Sequence, residues 1–66
     1  MTLIVNGQER QIPDGLTVAE LIRELGLEKT PCAAEVNREL VPRRDHASRP
    51  LSTGDTVELV TLVGGG

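Results

Sequence analysis

The chain has 66 residues, 38% of them hydrophobic, with no Phe, Tyr or Trp, and a formal net charge of −3 from seven basic and ten acidic residues. A core limited to Leu, Val, Ile and Ala suits a thin sheet covered by one helix, and it leaves no material for a deep catalytic cleft. The mild acidity and the lack of rings for bases to stack on exclude nucleic acid as a partner, and apolar runs as short as residues 59–63 exclude a membrane-spanning helix.

In chain order, Met1-Thr2-Leu3-Ile4-Val5 alternates as a strand, with Met1, Leu3 and Val5 on one face and Thr2 and Ile4 on the other. Asn6-Gly7 is a hairpin signal, because both residues accept positive φ at low cost. Residues 8–12 form the return strand, polar except for Ile12, and Pro13-Asp14-Gly15 ends it. Thr17-Val18-Ala19-Glu20 has the spacing of a capping box, and Val18, Leu21, Ile22 and Leu25 then fall on one helical face. Gly26 is placed to end that helix in a left-handed cap.

Cys32, Ala34 and Val36 alternate with Ala33 and Glu35, which predicts a third strand. Asn37-Arg38-Glu39 turns the chain into a short apolar piece, Leu40-Val41, stopped by Pro42. Residues 43–50 are polar and irregular, with room for one helical turn, and Ser52-Thr53-Gly54-Asp55 is a further turn. Residues 56–63 form the last strand, with Val57 and Leu59 inward and Glu58, Val60 and Leu62 outward. The predicted core is Met1, Leu3, Val5, Ile12, Val18, Leu21, Ile22, Leu25, Val36, Leu40, Leu51, Val57 and Leu59. The pattern is α+β, one helix on a mixed sheet of four to five strands.

Side chains that could carry chemistry are few. His46 lies in the polar segment and is expected to be solvated. Cys32 is in phase with Ala34 and Val36 and is expected to be a small core residue; it has no second cysteine for a disulfide. One Cys and one His cannot make a zinc site, so no metal is expected. Arg43-Arg44 is a short basic pair, solvated or paired with Asp45. With no basic and apolar leader at the N-terminus, the expected compartment is the reducing cytoplasm.

Gly64-Gly65-Gly66 has a different character. Three glycines after an apolar strand pack nothing and raise the entropy cost of order. Without Cβ atoms they can enter a channel little wider than the main chain, and a terminal glycine leaves its carboxylate open to attack. Glycine-rich ends are also common as frayed termini, so the tail by itself leaves the choice open.

The whole chain resembles the ThiS-type sulfur carriers of thiazole (thiamine) biosynthesis. The matching pieces are Met1 to Gly7, Thr17-Val18-x-Glu20-Leu21, Val36-Asn37, Leu40-Val41-Pro42-Arg43, Gly54-Asp55-x-Val57-Glu58 and Gly65-Gly66. Arg38 departs from the family pattern, where a glycine commonly follows the asparagine, and His46 stands where many members carry an aromatic. The resemblance implies a β-grasp, ubiquitin-like domain over residues 1–63 with a flexible tail over 64–66, and strands 1 and 5 as parallel neighbours. It also implies a carrier with no catalytic side chain of its own. An E1-like adenylyltransferase would use ATP and Mg²⁺ to adenylate the Gly66 carboxylate. Sulfur from a donor such as a cysteine desulfurase would convert it to a thiocarboxylate, and thiazole synthase would receive the sulfur. Gly64 and Gly65 are the expected recognition elements of the tail. Ile4, Val60 and Leu62, all on outward phases, are the expected docking surface. Two alternatives remain: a carrier for molybdopterin synthesis, of the small-subunit type, and a ubiquitin-like interaction module with an inert tail.

Overall fold

A computed structural model describes residues 1–62. The elements run β1 (Thr2–Val5), β2 (Gln8–Gln11), α1 (Val18–Glu24), β3 (Cys32–Val36), β4 (Glu39–Val41), a 3-10 turn (Arg43–Asp45) and β5 (Thr56–Thr61). They form one five-stranded sheet in the order β2-β1-β5-β3-β4. β1 and β5 are parallel at its centre and the other neighbours are antiparallel. This is the β-grasp arrangement, with α1 crossing the face that carries Leu3, Val5, Val57 and Leu59. The expected boundary between residues 63 and 64 lies outside the described residues.

Two turns set the register. At Asn6-Gly7 both residues have positive φ, 50° and 80°, the twist a two-residue hairpin needs. Asn37-Arg38 does the same between β3 and β4, at 51° and 70°, so an arginine holds a left-handed position that would suit glycine. Because that loop has two residues, Val36 faces Glu39, Glu35 faces Leu40 and Ala34 faces Val41. Val41 therefore turns into the core and Leu40 turns out.

The helix is capped at both ends. Thr17 Oγ1 accepts from the Glu20 N–H at 3.3 Å and the Glu20 carboxylate accepts from the Thr17 N–H at 2.9 Å. At the other end Gly26 has φ of 75°, the Gly26 N–H donates to the Arg23 carbonyl and the Leu27 N–H to the Ile22 carbonyl. That pair of bonds is a Schellman closure. Residues 43–50 supply the remaining acceptors: the carbonyls of Arg49 and His46 take the N–H groups of Val18 and Ala19 at 3.0 and 2.9 Å.

The core consists of Leu3, Val5, Ile12, Val18, Leu21, Ile22, Ala34, Val36, Val41, Leu51, Val57 and Leu59, with Met1, Leu16, Leu25, Leu27 and Cys32 packed partly buried against it. Two expectations are corrected. Leu40 is not a core residue; it is 67% exposed, because the two-residue turn places it one step out of phase. His46 is not a solvated loop residue; it is 8% exposed, since the segment that carries it packs against the start of α1 rather than looping free.

Candidate functional site

The candidate site is built around β5, which precedes Gly64-Gly65-Gly66 in the sequence. Strand hydrogen bonding alternates sides along it. The Thr56 and Leu62 positions bond toward β3, through Asn37 N–H to the Thr56 carbonyl at 2.7 Å and Leu62 N–H to the Pro31 carbonyl at 2.8 Å. Val57 bonds toward β1, its carbonyl accepting from the Asn6 N–H at 2.9 Å. β1 registers with β5 only at Ile4 with Thr56 and Val5 with Val57, while β3 accompanies β5 from Val57 to Thr61.

Past the end of β1, a side chain replaces the missing strand. Asn6 Oδ1 accepts from the Leu59 N–H at 2.8 Å, and its Nδ2 donates to the Leu59 carbonyl at 3.2 Å. Asn37 acts similarly at the start of β5. Its Oδ1 accepts from the Thr56 N–H and its Nδ2 donates to Asp55, both at 3.0 Å. Sequence reasoning read both asparagines only as turn formers. Asn-Gly is so strong a turn signal that nothing local betrays the second use, and the Leu59 partner is 53 residues away.

The expected tail residues, Gly64, Gly65 and Gly66, lie outside the described residues. Ile4, Val60 and Leu62 all occupy the sheet face opposite α1. Val60 and Leu62 are 58% and 52% exposed, whereas Ile4 is half-buried. Ile4 is level with Thr56, four residues before Val60, or about 13 Å along the strand. The fold thus brings Val60 and Leu62 to the root of the tail and leaves Ile4 at the far end of β5. Glu58, directly opposite Glu35, stands between them.

Cys32 faces Thr61 across the β3–β5 ladder. It is half-buried, with Sγ 4.0 Å from the Leu27 carbonyl, and it borders a cavity of about 290 Å³ that Arg43 and His46 also line. His46 Nε2 lies 3.1 Å from the Val41 carbonyl, which can only accept, so that nitrogen carries the proton. Among the described residues no group of three or more His, Cys, Asp or Glu side chains could hold a metal ion. No helix among them is long and apolar enough to cross a membrane. Among the described residues one carboxyl is clearly perturbed. The N-terminal ammonium, 2.5 Å from Asp14 Oδ1, holds that carboxyl below its usual value.

The family model that matches this chain is described as the ThiS family, and it covers residues 3–66. The chain belongs to the ThiS family. It is 32% identical to the sulfur carrier protein ThiS of Escherichia coli over the whole of both chains. It is 37% identical to the ThiS protein of Thermus thermophilus over 62 residues, covering 94% of this chain and 95% of that one. A thiazole synthase of Paramagnetospirillum magneticum is 39% identical over all 66 residues, but the chain spans only 20% of that protein's length. The crystal structure of the ThiS protein from Geobacter metallireducens superposes with a TM-score of 0.84 at 30% identity, covering 100% of both chains. The family is thus one of small carriers, and the ThiS β-grasp is the fold described above.

Proposed function

We propose that this chain carries sulfur for thiazole formation as a thiocarboxylate on Gly66. The observation that carries the reading is the end-to-end match with the E. coli sulfur carrier, in which this chain's last residue falls within the aligned length. Family membership favours the thiazole branch over the molybdopterin alternative, and over an inert interaction module.

A carboxylate resists substitution because its leaving group would be oxide. An E1-like adenylyltransferase, using ATP and Mg²⁺, joins the Gly66 carboxylate to AMP and releases pyrophosphate. The terminal sulfur of a persulfide, supplied by a donor such as a cysteine desulfurase, attacks the acyl carbon and AMP departs. A second thiolate then cleaves the S–S bond, leaving the thiocarboxylate on Gly66 and a disulfide on the donor side. Thiazole synthase receives the charged carrier; the Paramagnetospirillum relative, in which a matching stretch lies within a thiazole synthase, supports that pairing. Gly64 and Gly65 offer bare backbone to the channels of these enzymes. Val60 and Leu62, with Ile4 farther along the same face, supply the apolar surface on which the adenylyltransferase docks.

The test is intact mass after incubation with adenylyltransferase, ATP, Mg²⁺ and a sulfur donor. The wild-type chain gains the difference of one sulfur replacing one oxygen, confined to its C-terminal fragment. Deleting Gly66, or appending one residue to it, abolishes the gain while the circular dichroism spectrum stays the same. If the appended variant is charged equally well and supports thiazole formation, Gly66 is not the carrier residue.

A further inference from the structure

The two neighbours of β5 end at different points, and the mismatch leaves an open lane in the sheet. On the β3 side the ladder continues to Leu62, which donates to the Pro31 carbonyl. On the β1 side paired strand stops at Val57, and the Asn6 side chain serves Leu59. Alternation then turns the N–H and C=O of Thr61 toward the same side as Val57 and Leu59, and among the described residues nothing bonds to either group. Beside Leu59 a groove of about 410 Å³ opens, lined by the apolar Val5, Leu25, Leu27 and Leu59 and by polar residues that include Arg10 and Glu24.

We propose that this lane is the seat of an extended segment of thiazole synthase, which adds to the β1 side of β5 at Thr61 and lays an apolar side chain into the groove. The proposal rests on the sulfur-carrier reading above. Its warrant for that occupant is reach. Gly66 stands four residues after Leu62, so it extends at most about 14 Å beyond it. An enzyme that encloses Gly66 and the backbone leading to it comes within that distance of Thr61, where a buried, unpaired N–H and C=O would be costly unless a strand met them. A backbone partner satisfies both groups in one step, as in other sheets extended by an added strand. The hairpin at Asn6-Gly7 closes the lane at one end and fixes where the added segment starts.

The experiment uses the full chain and purified thiazole synthase. Amide hydrogen exchange is measured at Thr61 in the free chain and in the saturated complex, and exchange there is expected to slow by at least about tenfold, as formation of a new backbone hydrogen bond requires. Thr61→Pro removes the N–H on the open side without touching the β3 ladder, since Thr61 faces Cys32 in a pair that exchanges no hydrogen bonds. It should weaken synthase binding by roughly tenfold, whereas Thr61→Val, which keeps the N–H, should bind as the wild type does. Unchanged exchange at Thr61 in the complex overturns the proposal, and so does equal weakening by both variants. Neither result touches the carrier reading, which stands or falls on the mass gain at Gly66.

Discussion

The two halves of β5 obey different rules. Its first half, Thr56 and Val57, has β1 on one side and β3 on the other, and Val57 is fully buried beneath α1. Its second half, from Glu58 to Thr61, has β3 alone as a strand partner, and Val60 points 58% exposed to solvent. One strand thus serves as the spine of a very small core and then as a strand paired on one side only. A domain of this size has little stability to spare, so its strongest packing belongs where the sheet is double-sided. The one-sided stretch is held by β3 and, on its other edge, by the Asn6 side chain at Leu59.

The largest effect that tests this division is a truncation under the buried half. Leu21, fully buried on α1, should cost about 2–5 kcal/mol when changed to Ala, enough to unfold much of the population. Val60→Asp on the open half should change stability by no more than about 0.5 kcal/mol. Paired urea titrations measure both, and a similar loss for the two would erase the distinction. Val60→Asp should nonetheless weaken binding to the adenylyltransferase, read by titration calorimetry.

Asn6→Gly probes the boundary between the halves. Glycine keeps the positive φ of 50° but removes both bonds to Leu59, so the turn survives and the surrogate strand does not. A loss of about 1–2 kcal/mol is expected, with faster amide exchange at Leu59 and little change at Val57. Exchange rising equally at both positions would mean that β5 opens as one unit.

A smaller effect, of opposite sign, belongs to the turn that feeds the double-sided half. Arg38 sits at φ of 70°, and Arg38→Gly relieves that conformation at the expense of a more mobile unfolded chain. The net expectation is a stabilisation of roughly 0.5 kcal/mol, checked by thermal melting. The smallest effect lies at the chain's other end. The carboxyl of Asp14 is lowered by its bond to the N-terminal ammonium, so its contribution is present above the ordinary carboxylate value and is lost as pH falls through the lowered one. The group is almost wholly exposed, so Asp14→Asn should only flatten the acid limb of a stability–pH curve slightly.

Most of the local structure was legible in the residues themselves. Alternation marked β1, β3 and β5, Asn6-Gly7 marked the first hairpin, and Thr17 with Glu20 marked the helix start; in each case the deciding interaction lies within a few residues, so a local pattern suffices. Tertiary structure decided what depends on partners far away in sequence. Leu40 and Val41 are equally apolar, and only the pairing of β4 with β3 chose which one turns inward. His46 is buried because residues 43–50 cap α1 with their carbonyls, a role that their polar side chains do not announce. The open lane beside Thr61 exists because β1 ends level with Val57, four residues before β5 does, and that offset acquires meaning only when the two strands lie side by side. The physical reason is common to all three: burial and backbone pairing are properties of the assembled sheet, and one strand's residues do not contain their neighbour's length or register.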